Sequence, residues 1–193
     1  LMLADIFPGA RVLESGVGSG ALSMTMLRAG AVVTGYEIRA AFAAKAQENV
    51  AAFLGPDAMS RYEVQERDCY EGIDATDLDR IVLDLPEPWQ VVKHAEAALC
   101  PGGVLVAYTP SITQAVQLRE ALVDSRFQLA ETMEVRNRTW HIEGQAVRPD
   151  HRMVADPDPG EDAHPGPDPH VVADRDRGAL HGCVAYHDAR LGV

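Results

Sequence analysis

The sequence predicts an α/β protein with a doubly wound, mostly parallel sheet. From residue 1 to about residue 153, short apolar runs alternate with amphipathic stretches, which is the pattern of repeated β-α-β units. A glycine-rich loop, Gly16–Gly20, lies between the first apolar run and the first helical stretch. Such a loop at the first strand-to-helix turn is typical of doubly wound sheets that bind nucleotides.

Each element follows from hydrophobic periodicity and from turn residues. The predicted strands are 11–14, 32–37, 62–67, 80–85 and 104–108. The predicted helices are 21–29, 40–54, 89–99 and 111–125, and residues 100–103 form a turn. Residues 127–143 are predicted to form a strand, a turn and a second strand.

The composition changes after Met153. Residues 154–193 hold five of the 12 prolines and four of the 7 histidines, with eight acidic residues against three arginines. Proline-rich runs such as 156–160 and 164–169 cannot propagate a helix or supply ladder donors. We therefore expect two segments: a core at 1–153 and a tail at 154–193 that is disordered or out of frame.

Composition also excludes several classes of protein. No apolar run approaches the roughly 18–20 residues of a membrane span, so we expect no membrane partner. The net charge of −12 disfavours a protein that coats nucleic acid non-specifically. It does not exclude a nucleic-acid enzyme, because such an enzyme needs only a local basic face around its site. Three dispersed cysteines without a CxxC pair predict a reduced, cytoplasmic setting, and no metal-ligand spacing is present.

The glycine loop indicates which ligand suits the site. It reads GxGxG, not the GxGxxG of a dinucleotide-binding loop, and Glu14 lies two residues before Gly16. Glycine lets a ligand approach backbone N–H groups at a helix N-terminus. An acid beside that loop would repel a pyrophosphate but suits a cationic ligand, so a nicotinamide dehydrogenase fits least.

Acidic residues end four successive predicted strands. Glu14 lies at the end of the first strand, and Glu37 ends the second, where a carboxylate can accept both hydroxyls of a ribose. Asp68 can meet the exocyclic amine of an adenine, and Asp84 lies at the end of the fourth strand. One such acid often caps a helix or turn, but four at one sheet edge predict a binding site.

With these features the sequence resembles the class I S-adenosylmethionine-dependent methyltransferases, which have a Rossmann-like fold. It is more narrowly similar to the bacterial and actinobacterial tRNA adenine-N1 methyltransferases, which modify the T-loop adenine at position 58. The matching stretches are 12–23, 82–89, Tyr108 with Thr113 and Gln114, 138–141 and 146–149. The first stretch is generic to the superfamily, whereas 84–89 and Arg148–Pro149 are more specific.

The resemblance implies a site for S-adenosylmethionine, the methyl donor, with no metal. The residues expected to contact the donor are Glu14, Gly16, Gly18, Ser19, Gly20, Ser23, Glu37, Asp68 and Asp84. It also implies that Asp84 is catalytic, beside both the donor and the target base. A carboxylate there can stabilise the cationic adenine that methylation at N1 produces, or accept a proton from it.

Residues on the other side of the site are expected to contact tRNA. Tyr108, Thr113 and Gln114 follow the fifth predicted strand and could contact a flipped base. Arg138, Trp140 and Arg148 belong to the basic stretch of this acidic chain, a mixture that can hold phosphates and stack a base. Alternatively, Gln114 is an ordinary residue on the helix surface, and the arginines form solvated ion pairs. Trp89 either forms a wall of the pocket or anchors the next helix.

The chain departs from the resembled family at both ends. Family members carry a small N-terminal β domain, and this chain begins at Leu1, so we expect a fragment of the whole protein. Members also close the sheet with an apolar strand soon after the Arg-Pro pair, which we expect to be lost here. The family implies a homo-oligomer, typically a tetramer.

Two alternatives to the tRNA methyltransferase remain open. One is a non-catalytic subunit that binds S-adenosylmethionine, and the other is a methyltransferase acting on a small molecule or a protein carboxyl. The intact acids and glycines argue against the first. The Asp84–Trp89 stretch and the late basic residues favour RNA over the second.

Overall fold

Strands and helices alternate along the chain in the computed structural model, which describes residues 3–135, 140–149 and 180–187. The strands are β1 (Arg11–Ser15), β2 (Val32–Glu37), β3 (Tyr62–Glu66), β4 (Leu78–Asp84), β5 (Leu99–Thr109), β6 (Phe127–Val135), β7 (Trp140–Glu143), β8 (Ala146–Pro149) and β9 (Leu180–His187). The helices are α1 (Ala21–Arg28), α2 (Ala40–Leu54), α3 (Pro56–Met59), α4 (Val92–Ala98) and α5 (Ile112–Val123), and a 3-10 turn covers Pro88–Val91.

Seven of these strands form one sheet in the order β3-β2-β1-β4-β5-β9-β6. The pairs β1–β2, β2–β3, β1–β4 and β4–β5 are all parallel. The strands β2 and β3 extend the sheet on one side of β1, and β4 and β5 extend it on the other side. The strand order therefore reverses between β1 and β4. This arrangement confirms the predicted doubly wound sheet, and ligands of such sheets bind at that reversal.

The core lies on both faces of the sheet because the central strands β1 and β4 are buried along most of their length. Leu13, Ile81 and Leu83 are fully buried, as expected for parallel strands covered by helices. Helix α2 contacts the sheet through Ala43, Ala46 and Val50, which recur every three or four residues. Two of these three are alanines, so the helix backbone lies close to the strands and to the glycine loop.

Strand β9 corrects the expectation that residues 154–193 are disordered throughout and that the closing strand is lost. Leu180–His187 pairs antiparallel with β5, with Ala107 opposite Cys183 and Thr109 opposite His181. Ala185 is 1% exposed and belongs to the main core. The prediction failed because proline and aspartate dominate the composition of the forty-residue segment and hide one short apolar run. The division at residue 153 itself stays a prediction.

Smaller differences lie in the turns. The predicted turn at residues 100–103 is part of β5: while β4 advances from Leu78 to Arg80, β5 advances from Leu99 to Val104, so the extra residues form a bulge. The short helix α3 begins at Pro56, a residue favoured in the first turn of a helix. Residues 127–143 contain β6 and β7 as expected.

The hairpin β7–β8 belongs to a second compact unit, residues 134–180, while the sheet and its helices lie in the first. Within the hairpin, His141 is opposite Arg148, and Ile142 is opposite Val147. Among the described residues, no helix combines the length and apolar character that crossing a bilayer requires.

We expect Ala185→Asp to lower the free energy of unfolding by more than about 2 kcal/mol, because it places a carboxylate in the apolar core beside β5. The control is Ala41→Asp, the same change at an exposed position in the first turn of α2, which should alter stability by less than about 0.5 kcal/mol. Urea unfolding of the 193-residue chain measures both. Equal effects would show that β9 does not contribute to the core.

Candidate active site

A cavity of about 320 Å³ lies at the carboxyl ends of β1, β2, β3 and β4, next to the reversal of strand order. Sites for small molecules are typically about 300–1,000 Å³, so the cavity is large enough for one. Its walls come from residues at the end of each strand or just after it: Ser15, Gly16, Tyr36, Glu37, Ile38, Arg39, Arg67, Asp68, Cys69, Tyr70, Asp84, Leu85 and Pro86.

The glycine loop packs directly on the end of β4. Gly16 has φ +87°, and a Cβ atom there would lie 2.2 Å from the carbonyl oxygen of Asp84. No other residue fits this position without moving β4. The loop is also held by helix α2, since the Asn49 side-chain amide donates to the Ser19 carbonyl at 2.9 Å, and a Cβ at Gly20 would lie 3.2 Å from the Ala46 carbonyl oxygen.

Glu37 ends β2 and is 3% exposed, with its carboxylate at the wall of the cavity. Oε2 accepts from the Gly18 N–H at 3.1 Å, and Oε1 accepts from the backbone N–H and Nε of Arg39 at 3.1 and 3.0 Å. Burial acts to raise the pKa of Glu37, but these hydrogen bonds outweigh it and leave the pKa below its ordinary value. The group is therefore an anion tied to the glycine loop.

Two further acids line the same cavity. Asp68 is half-buried, and its Oδ1 accepts from the backbone N–H of Tyr70 at 2.8 Å. Asp84, the last residue of β4, is exposed. Its neighbour across the sheet is Tyr108 on β5, which is half-buried. The structure thus brings Gly16, Glu37, Asp68 and Asp84 together at the cavity, as the sequence predicted.

Glu14 and Ser23 lie elsewhere, and neither lines the cavity. Both are buried beneath the glycine loop, where the Ser23 hydroxyl donates to Oε2 of Glu14 and accepts from the Tyr62 hydroxyl at 3.0 Å. Burial raises the pKa of Glu14 from 4.5 to about 7, and the nearby Asp84 adds to the rise, whereas the Ser23 hydrogen bond opposes it. Direct contact of these two residues with a ligand stays a prediction.

The expected tRNA contacts fall into two groups. Thr113 and Gln114 lie in the first turn of α5, where the side chain of Gln114 already bonds to the Ser111 N–H and the Pro86 carbonyl. Trp140 is on β7, 55% exposed, and Arg148 is on β8, with its side chain outside the described part of the chain. Arg138 lies outside the described residues. Trp89 is half-buried against the main core and does not line the cavity, which favours the anchoring role.

Several residues of the cavity wall were missed, and two of them bond to predicted acids. Arg39 pairs with Glu37, and Tyr70 is bonded to Asp68 through its backbone. Each lies two residues after an acid that was predicted. Tyr70 lies in a turn, where an aspartate commonly accepts from the N–H two residues on, so the residues two positions after each acid were the signal available.

The donor set decides which ligand fits. Carboxylates at Glu37, Asp68 and Asp84 favour a ligand with hydroxyl, amine or cationic groups over a pyrophosphate. Within the described ranges, no group of three or more His, Cys, Asp or Glu is arranged to hold a metal ion. The chemistry of this lining fits S-adenosylmethionine, which carries a ribose, an adenine and a cationic methionine portion.

The fold, the bare glycine loop on β4 and the acidic cavity define the Rossmann-like fold of the class I S-adenosylmethionine-dependent methyltransferases. Residues 1–163 match the family described as tRNA methyltransferase complex GCD14 subunit, and the chain belongs to that family.

Its relatives include two prokaryotic proteins. The chain is 37% identical over 155 residues to tRNA (adenine(58)-N(1))-methyltransferase TrmI of Thermus thermophilus, covering 79% of this chain and 60% of that protein. It is 35% identical over 178 residues to tRNA (adenine(57)-N(1)/adenine(58)-N(1))-methyltransferase TrmI of Methanocaldococcus jannaschii, covering 78% of this chain and 63% of that one. The chain thus spans less than two thirds of the length of these relatives.

Solved structures give the same fold. A SAM-dependent O-methyltransferase of Thermotoga maritima superimposes with a TM-score of 0.77 at 27% identity, covering 100% of this chain and 64% of that one. The tRNA (m1A58) methyltransferase TrmI of Aquifex aeolicus superimposes with a TM-score of 0.70 at 20% identity, covering 100% and 67%. The second likeness supports the fold alone.

The raised pKa of Glu14 predicts a pH-dependent stability. The folded chain binds a proton at this carboxyl up to about pH 7, whereas the unfolded chain releases it near pH 4.5. Stability from this group is therefore present below pH 4.5 and is lost as the pH rises to about 7. Glu14→Gln removes this titration. The unfolding free energy of the variant minus that of wild type should therefore rise by about 2–3 kcal/mol between pH 5 and pH 8.

Urea unfolding of both proteins across that pH range measures the effect. Other titrating groups are shared by the two proteins and cancel in the difference. A difference that stays constant from pH 5 to pH 8 would contradict the neutral, buried carboxyl.

Proposed function

We propose that this chain is the catalytic part of a tRNA methyltransferase that transfers a methyl group from S-adenosylmethionine to N1 of an adenine in the T-loop. The observation that carries the proposal is the exposed carboxylate of Asp84 at the edge of the donor cavity, beside Tyr108 on the neighbouring strand. Membership of the GCD14 family and the names of the Thermus and Methanocaldococcus relatives support the same substrate and position.

Three residues of the cavity interact with the donor or leave space for it. Glu37, an anion held by Arg39 and Gly18, accepts hydrogen bonds from the ribose hydroxyls. Asp68 accepts from the exocyclic amine of the donor adenine with the oxygen that Tyr70 leaves open. Gly16 keeps side-chain atoms out of the space between the loop and β4. S-adenosylmethionine, when bound, supplies a methyl group on a cationic sulfur.

The acceptor side is organised around Asp84. N1 of neutral adenine carries a lone pair, so no strong base is needed before methylation. The methylated base is a cation, and a carboxylate beside its N6 amine stabilises that charge and accepts the proton that the base then loses. In this proposal Tyr108, adjacent to Asp84 in the sheet, contacts the base once it leaves its stack.

Assembly and location are parts of the same proposal. We propose a homo-oligomer, a tetramer by resemblance, and an exposed apolar stripe on α5 supports a partner surface: Ile112, Val116 and Val123 are 54%, 49% and 78% exposed. A relative in Dictyostelium discoideum is named a catalytic subunit, which supports assembly with other chains.

A cytoplasmic location is supported by Cys69 and Cys100, which are free thiols.

Asp84→Ala tests the proposal. The 193-residue chain, incubated with labelled S-adenosylmethionine and an unmodified tRNA transcript, should yield N1-methyladenosine on nucleoside analysis, and the variant should be slower by about 100-fold or more. Asp57→Ala, an exposed acid on α3, is the matched control and should retain wild-type activity. A transcript with guanine at the T-loop position should accept no methyl group.

Two outcomes would contradict the proposal. Donor binding without transfer to tRNA would favour a non-catalytic subunit or a methyltransferase for another acceptor. N1-methyladenosine formed equally well by Asp84→Ala would remove Asp84 from the mechanism.

A further inference from the structure

The segment that follows Asp84 has little backbone bonding of its own. Strand β4 and its pairing with β5 end at Asp84, and the segment continues as Leu85, Pro86, Glu87 and Pro88. The two prolines have no N–H group, so the segment cannot form a regular ladder. Leu85 and Pro86 nevertheless form part of the cavity wall beside Asp84. Other parts of the molecule must therefore hold this segment in place.

Gln114 holds it from helix α5. The side-chain Nε2 of Gln114 donates to the carbonyl oxygen of Pro86 at 2.8 Å. Its Oε1 accepts from the backbone N–H of Ser111 at 3.1 Å, as part of the capping box that begins α5. Both ends of the amide are thus engaged, and because a carbonyl can only accept, the orientation of the amide is determined.

Tyr70 holds the segment through a second hydrogen bond. Its hydroxyl accepts from the backbone N–H of Glu87 at 3.1 Å. Tyr70 is itself fixed at both backbone groups: its N–H donates to Asp68 Oδ1 at 2.8 Å, and its carbonyl lies 3.1 Å from Nε2 of His94 on α4. Its ring packs against the main core. The same residue therefore contacts the Asp68 loop and the segment after Asp84.

We propose that Gln114 and Tyr70 are positioning residues: they bond to the Pro86 carbonyl and the Glu87 N–H and so fix the Asp84 carboxylate at the edge of the cavity. This inference rests on the proposed methyl transfer. Neither side chain needs to touch the target base for this role. Small displacements of a reacting group reduce the rate of a positioned reaction strongly, so loosening either bond should lower kcat.

Two variants remove one bond each, and Gln114→Glu also adds a negative charge, which its control reproduces. Gln114→Glu keeps the acceptor for the Ser111 N–H, since glutamate also completes a capping box, but it has no donor for the Pro86 carbonyl. Tyr70→Phe keeps the ring and removes only the hydroxyl. The matched control is Gln117→Glu, which makes the same charge change at an exposed position on the same helix.

We expect kcat for tRNA methylation to fall about tenfold in Gln114→Glu and in Tyr70→Phe, with KM for S-adenosylmethionine changed by less than about twofold. The double variant should lose less than the product of the two single losses, because both bonds hold one segment. Gln117→Glu should match wild type. A rise in KM with kcat unchanged would overturn the positioning role.

A second measurement does not need turnover. Amide hydrogen exchange in the peptide covering residues 84–91 should be several-fold faster in both variants than in wild type or Gln117→Glu, while exchange in β1 and β4 stays the same. Unchanged exchange in residues 84–91 would overturn the proposal. Faster exchange with wild-type kcat would overturn the link to Asp84. If wild type makes no N1-methyladenosine, the proposed function fails, and the exchange result alone decides whether the two residues hold the segment.

Discussion

The close approach between the glycine loop and the end of β4 is the constraint on which the site depends. With a Cβ at Gly16 only 2.2 Å from the Asp84 carbonyl oxygen, the two chain segments can meet only because residue 16 has no side chain. This contact brings the carboxyl ends of β1 and β4 together at the reversal of strand order. It places the loop amides beside Glu37 and the carboxylate of Asp84 at the edge of the same cavity.

Four acids lie near this contact, and their surroundings separate their roles. Glu14 is buried with Ser23 and has a pKa of about 7, so it is largely neutral in weakly acid solution. Glu37 is charged and balanced by Arg39. Asp68 is restrained by the backbone of its own loop, and Asp84 is exposed at the end of β4. Under the proposed function, this arrangement separates a buried structural acid from two acceptors for the donor and from an exposed carboxylate at the edge of the cavity.

Periodicity and turn residues were enough to predict the doubly wound sheet. Strand β2 and helix α2 have the predicted bounds, because an apolar run and an alanine-rich amphipathic stretch leave little ambiguity. The cavity acids were predicted because each follows a strand. Strand β9 was missed because its few apolar residues follow a long proline-rich stretch, and its partner β5 lies more than seventy residues earlier in the chain.

The contacts that hold the site together could not be predicted in the same way. The bond from Gln114 to Pro86 spans 28 residues and the bond from Glu87 to Tyr70 spans 17, so both depend on how helices and loops pack once the sheet has formed. Gln114 was expected to contact the base, and in the structure its amide bonds to the segment after Asp84. A side chain's partners across the fold follow from topology, which local sequence patterns do not contain.

Equilibrium binding of S-adenosylmethionine to the 193-residue chain, measured by calorimetry, is the direct test of this cavity as the donor site. We expect one donor molecule per chain, binding weakened by roughly tenfold or more in Glu37→Gln, and no binding of NAD. Glu48→Gln, an exposed acid on α2, should bind as wild type does. Donor binding that is absent, or that is equally strong in Glu37→Gln and Glu48→Gln, would contradict the assignment of this cavity.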